Sequence, residues 1–223
     1  MSQDSGSENV LFEKRWPVGL TVIIVLALLT LIPERVSILP LWVGYVIGVF
    51  ILVQLIAIGY TKANHRWIRI ENYILGIFLL FSALGNLSNL QHLVVEMLLP
   101  TNTISGLQLL ASSISIWIQN ILMFSLLYWQ IDRGGPESRI NYSKGKPDWL
   151  FPQDTAPEEY VRQNWNPVFV DYLYLGYSTS TAFSTTDVIP ITSRAKLLMM
   201  LQSFISLVVI VVVGARAINI LGS

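Results

Sequence analysis

The sequence predicts an all-α polytopic membrane protein: four transmembrane helices, a long polar loop, a re-entrant helix or short fifth span, and a final transmembrane helix. Three observations carry that expectation. Of 223 residues, 53% are hydrophobic and 13% charged, with a mean hydropathy of +0.56, a balance expected of chains whose surface meets lipid. The apolar residues gather into long stretches, each closed by charges, prolines or polar residues. The last third carries a nearly uncharged, hydroxyl-rich segment, Asn166 to Arg194, that leads straight into another long apolar helix. Composition also excludes function classes. A net charge of zero with no basic run leaves nucleic acid nothing to bind. The lack of cysteine excludes disulfides, thiol catalysis and thiolate-bound metals.

Residues 1–15 form a polar tail with Asp4, Glu8 and Glu13, unlike a cleavable leader. Residues 16–106 are predicted to be a three-span scaffold. The first span, Pro17 to Ile32, ends at Pro33-Glu34-Arg35. The second runs from Ile38 to Tyr60, and its Gly44-x-x-x-Gly48 suits a close helix contact within the chain. Lys62, His65, Arg66 and Arg69 make a basic connector, with Trp67 as interfacial anchor. The third span, Tyr73 to Leu99, sets Asn86, Asn89, His92 and Glu96 on one face about 120° wide. Such a face avoids lipid. His92 and Glu96 can jointly bind a metal or pass a proton; the plainer reading has Glu96 near the interface and the asparagines bonded to neighbouring helices. The fourth span, Leu107 to Tyr128, has its own polar row, Ser112, Ser115 and Gln119, with Asn120 beside it. The two rows are expected to face each other.

Residues 107–223 divide into an outer helix 107–130, a loop 131–166, a short helix and following segment 167–190, and an inner helix 194–221. Asp132-Arg133-Gly134-Gly135-Pro136 stops the outer helix. Tyr142, Trp149, Phe151, Tyr160 and Trp165 predict partial order of the loop against the membrane surface. Asn166 is positioned to cap a helix with Pro167 at its first position, fading near Thr181. Such a helix rises about 22 Å, short of the roughly 30 Å hydrocarbon core, which fits a re-entrant half-helix. The poor helix formers after it survive at membrane depth only when buried in protein or lining water. Pro190 forces a turn, Thr192 or Ser193 caps the inner helix, and Arg194 and Lys196 mark the interface. Gly214 reads as a packing site. No span has arginine at every third position, which excludes a voltage sensor.

Asp171-x-Leu173-Tyr174, Ser178, Thr179, Thr181, Asp187-Val-Ile-Pro190-x-Thr192, Arg194-x-x-Leu197-Leu198 and the closing Val-Gly-Ala-Arg216 resemble the pore helix, filter and inner helix of potassium channels. The resemblance covers about the last third of the chain. It implies that Thr181, Ala182, Phe183, Ser184, Thr185 and Thr186 form the filter and that Asp187 stands at its mouth. The family's two filter glycines fall on Ser184 and Thr186, and its tyrosine on Thr185. Side chains at positions that require positive φ are costly, so the resemblance implies a wider, hydroxyl-lined pore or a fold that has lost conduction. The chain also resembles a group of bacterial polytopic membrane proteins without an assigned function, through Tyr128 to Pro136 and Phe151-Pro152-Gln153.

Charge and resemblance disagree on topology. Basic residues at the tail, the connector and the loop place all three in the cytoplasm, and then 167–189 crosses as a fifth span; a pore loop enters from outside. The polarity of Ser178 to Thr181 and Ser184 to Thr186 favours the hairpin. The leading expectation is a weakly selective pore-loop channel for monovalent cations, a homotetramer in a bacterial inner membrane. The alternatives are a non-conducting scaffold with a channel-like fold, and a proton-coupled transporter using His92 and Glu96. No nucleophile sits beside a base and no cofactor or metal set is recognisable, so an enzyme is not expected.

Overall fold

The computed structural model of the protein describes residues 16–29, 45–46, 48–49, 53, 65–98, 106–141, 146–163, 165–183 and 187–221. They are mostly helical. Helix α1 is Trp16–Leu29, α2 His65–Leu98 and α3 Gly106–Ile131. Among the described residues, three helices are long and apolar enough to cross a membrane by length and composition, with windows at Tyr73–His92, Leu107–Gly134 and Ser193–Ala215. That is the pattern of an integral membrane protein. Helix α1 covers 14 residues, ~21 Å, of the span expected there, whose last residues, 30–32, lie outside the described residues. Helix α2 begins at His65, so His65 to Arg69 are its first turns rather than a connector. Basic side chains favour helix well enough to let it continue past the apolar window. Most of the expected second span lies outside the described residues, but Gly48 has a clear role. A Cβ there would lie 2.5 Å from Leu26 Cδ1, so Gly48 lies against α1, in line with the intramolecular contact expected of it.

Helix α3 is the axis of the fold. Two thirds of its apolar window (67%) is buried inside the protein, against 33% for α2 and for the last helix. Among the described residues α3 packs against α1, α2, α6 (Phe169–Ala182) and α7 (Ser193–Leu221). Between Ile131 and Phe169 the loop is ordered into a tight turn at Asp132–Gly134, α4 (Pro136–Asn141), β1 (Trp149–Leu150) and α5 (Pro152–Thr155). The turn reverses the chain with Arg133 at φ 54°, Gly134 at 80° and Gly135 at 98°; the two glycines adopt those values without a Cβ penalty. Strand β1 pairs antiparallel with β2 (Ile189–Pro190), Trp149 opposite Pro190 and Leu150 opposite Ile189. The expected loop order is therefore present: Trp149 and Phe151 are buried and Trp165 partly so, while Tyr160 is 78% exposed. Tyr142 lies outside the described residues.

Helices α3 and α6 meet most closely at Gly176, where a Cβ would collide with Ser125 Oγ and lie 3.2 Å from Ile121 O. By contrast, Gly214 was expected to pack closely, yet a Cβ there meets nothing within 4 Å. Gly176→Val should cost about 1–3 kcal/mol of stability by overpacking, and Gly214→Ala should leave stability unchanged or raise it by about 1 kcal/mol through helix propensity. Thermal unfolding of the detergent-solubilised protein compares the two.

Candidate functional site

The site is the hairpin made by α6 and the segment returning to β2. Its geometry follows from where the two ends are fastened. At α6's start, Phe169 packs edge-on against Trp129 near the end of α3, ring centroids 6.4 Å apart. The Val168 N–H donates to Asp171 Oδ2 at 2.8 Å. The helix therefore starts at Phe169 with Asp171 as its capping carboxylate, not at Pro167 under Asn166, because a carboxylate in the first turn satisfies an orphan donor and matches the helix dipole. At the far end Ala182 is the last helical residue and Phe183 turns the chain in the left-handed region, φ 55°. The chain then comes back, since β2 lies beside β1 in the loop and Ser193 starts α7 at the same end. Helices α6 and α7 thus enter the bundle side by side from one end.

Two buried carboxylates hold that end together. Asp132 accepts from Asp148 N at 2.7 Å through Oδ1 and from the Tyr172 hydroxyl at 2.6 Å through Oδ2. Burial pushes the Tyr172 phenol far above its ordinary range, so it keeps its proton and donates. Asp148 in turn accepts from Thr192 Oγ1 at 2.5 Å and Arg194 Nε at 2.6 Å through Oδ1, while Oδ2 pairs with the Arg194 guanidinium. Asp132 thus secures α6 and Asp148 secures α7. Thr192 Oγ1 also accepts from Ala195 N at 3.3 Å, capping α7 as expected. Arg139, also buried, donates to Trp129 O at 2.6 Å and Asp132 O at 3.1 Å and lies over the rings of Trp129 and Tyr172, 5.7 and 5.0 Å from their centroids. Arg133 makes a bidentate pair with Asp154 at 2.7 and 2.6 Å.

Deeper in the bundle a second knot backs the hairpin. Gln202 of α7 is fully buried; its Nε2 donates to Gly176 O at 2.7 Å and Ser180 Oγ at 2.8 Å, and its Oε1 accepts from the Tyr128 hydroxyl at 2.6 Å. Asn120 Nδ2 donates to Gln202 O at 3.2 Å and Ser206 Oγ at 2.8 Å. Ser203 Oγ reaches Thr179 O at 3.3 Å. Helices α3, α6 and α7 are therefore joined by side chains at the level of α6's last two turns.

Of the residues expected to form the filter, Thr181, Ala182, Phe183 and Asp187 are exposed, and Thr181 Oγ1 donates to Tyr177 O at 2.6 Å. Ser184, Thr185 and Thr186 lie outside the described residues. The intramembrane set divides differently. Asn86, Asn89, Ser115 and Gln119 are buried and His92 is half-buried, whereas the side chain of Glu96 lies outside the described residues. The asparagines were expected to bond to neighbouring helices, but Asn86 Oδ1 and Asn89 Oδ1 have no hydrogen-bond partner among the described residues. Among the described residues there is also no group of three His, Asp or Glu able to hold a metal.

Sequence reasoning did not single out Gln202, Tyr128, Asp132, Asp148 or Arg139. A signal existed for Gln202, an amide inside an apolar run, which needs a partner at membrane depth. No such signal exists for Asp132 and Asp148, because in a polar loop a carboxylate is ordinarily solvated. No family model, no curated protein and no solved structure matches the chain.

Removing Asp132 strands the Tyr172 hydroxyl and the Asp148 N–H in a buried site. Asp132→Ala should therefore cost about 3–5 kcal/mol. Arg133→Gln, which loses the pair to Asp154 at the partly exposed rim and the 3.5 Å contact of its Nε with Asp132 Oδ2, should cost less, because every hydrogen-bond donor to Asp132 stays in place and the rim pair is screened by solvent. Parallel thermal unfolding curves test the ranking.

Proposed function

We propose that α6 and its return to Pro190 form the re-entrant pore hairpin of a cation channel. The observation that carries this reading is the course of α6. At 14 residues, ~21 Å, it is too short to cross. It ends beside Gln202 and Ser203 in the body of α7, and the chain regains the end from which it started. A helix that enters and stops at depth directs its C-terminal carbonyls, with their partial negative charge, at whatever lies beyond it, and that favours a cation. Thr181, Ala182, Phe183 and Asp187 face outward from the single chain. Such an arrangement encloses an axial path only when copies of the chain bring their hairpins together, so the working unit is a homo-oligomer, a tetramer by the resemblance to potassium channels. With hydroxyl residues where that family has glycines, the pore passes monovalent cations with weak selectivity. Asp187 supplies fixed negative charge at its mouth.

One observation favours the second reading, a non-conducting membrane scaffold of the same shape. Ser178, Thr179 and Ser180 are buried, and Ser180 bonds to Gln202 rather than to a water path. In the channel reading Ser180 anchors the hairpin through Gln202 and the outward residues carry the ion.

Flux of potassium, sodium and a large organic cation into liposomes containing the purified protein separates the two. The channel predicts flux of the small cations and a roughly tenfold fall in Asp187→Asn, where the field that concentrates cations at the mouth is lost. Absence of flux from folded, oligomeric protein at varied pH and voltage would leave the scaffold.

A further inference from the structure

The polar residues of α2 and α3 are not used by the hairpin, and their chemistry is of another kind. The side of α3 that faces α6 and α7 is marked by Asn120, Ser125 and Tyr128, through the bonds of Asn120 and Tyr128 to α7 and the collision distance between Ser125 and Gly176. On a helical wheel Gln119 lies about 180° from Tyr128 and about 120° from Ser125, with Ser112 and Ser115 within about 40° of it. Among the described elements, the neighbours left for that side of α3 are α1 and α2. The buried side of α2 carries Asn86 and Asn89 alongside Leu79 and Leu90. Helices α2 and α3 are antiparallel, because the chain from Leu98 to Gly106 reaches at most ~29 Å and α2 is ~50 Å long. Counted from their shared end, Asn89 and Ser115 are each ~14 Å in, and Asn86 and Gln119 ~18–20 Å in. The two rows therefore lie level with one another along the seam.

Those rows are rich in acceptors. Asn86 Oδ1 and Asn89 Oδ1 are buried with no partner among the described residues. Ser112 and Ser115 have each donated their hydroxyl hydrogen to their own helix, to Gln108 O and Ala111 O at 2.8 Å, so they turn only lone pairs outward. Against these oxygens, on the same side of α3, stands the buried donor Gln119 Nε2, which has no partner among the described residues. Bare oxygens in a low-dielectric interior are costly. One positive charge satisfies several at once. Helices α2 and α3 offer none along the seam, since residues 73–131 contain neither lysine nor arginine.

We propose that the seam between α2 and α3 is a second cation site, distinct from the hairpin and lined by Asn86, Asn89, Ser112 and Ser115, that takes a small monovalent ion from water. Neutral amide and hydroxyl oxygens suit a monovalent ion; a divalent ion would demand carboxylates in return for its hydration shell. The proposal does not rest on conduction through the hairpin.

The chain has no cysteine, so a single introduced thiol reports on the seam. Ser115→Cys is nearly isosteric, and Asn86→Cys is a second reporter should the first not fold. Silver ion, a monovalent cation that reacts with thiolate, is added to proteoliposomes, and modification is followed by intact mass. Val209→Cys, buried among apolar residues on α7, is the dry control. Ser115→Cys is expected to react about tenfold faster than the control, because a thiol in dry apolar surroundings keeps its proton, and sodium or potassium in place of choline is expected to slow that reaction severalfold. Rates equal to the control, or rates that do not change when choline is replaced, would overturn the site.

Discussion

The side chain of Gln202 is the constraint on which the arrangement of the bundle depends. An amide in the body of an apolar helix has no water to turn to, and leaving its groups bare costs about 1–3 kcal/mol. Its two N–H groups and its carbonyl are satisfied by Gly176 O, Ser180 Oγ and the Tyr128 hydroxyl, and those partners belong to two other helices. The amide therefore sets the depth to which α6 penetrates and its rotation about its own axis. It also explains why Gly176 is a glycine: the carbonyl that Gln202 needs is presented where α6 lies closest to α3, against Ser125 and Ile121.

The opposite anchoring is at the loop end, and it works differently. Asp132 and Asp148 are both fully buried, yet each accepts bonds from segments far away in sequence, Tyr172 of α6 for one and Thr192 and Arg194 of α7 for the other. A buried carboxylate pair with its bonds complete adds less net stability than it adds uniqueness, because any shifted packing would leave a charge exposed to apolar surroundings. The loop is thus a clasp that starts α6 and α7 at one level. Both helices are held at their starts and again by Gln202, and the exposed residues expected to meet an ion, Thr181 and Asp187, lie at the other end of α6 and just before β2.

Helix α3 has two polar sides of contrasting character. Toward α6 and α7, Tyr128 and Asn120 Nδ2 are spent on internal bonds. Toward α1 and α2 the oxygens of Asn86 and Asn89 and the nitrogen of Gln119 are not. The first pattern belongs to a part that must be held in place, and the second to a part that completes its bonding with something taken from outside.

The sequence by itself determined the membrane class, the long helices α2, α3 and α7, the stop at Asp132 to Pro136, the short length of α6 and the Thr192 cap, because each of these rests on local hydropathy, chain stiffness or a cap within a few residues. It also placed Asn86, Asn89, Ser115 and Gln119 off the lipid face, since helical periodicity is a local property. It erred by a few residues at the starts of α2 and α6, where a basic run stays helical and Asp171 outcompetes Asn166 as the cap. Only the tertiary structure decided that α6 turns back beside the loop, that Gln202 ties it to α3, and that two loop carboxylates are buried. The physical reason is that each of these depends on which groups meet across 16 to 82 residues of chain, and a polar side chain carries no mark of whether its partner will be water or a distant helix.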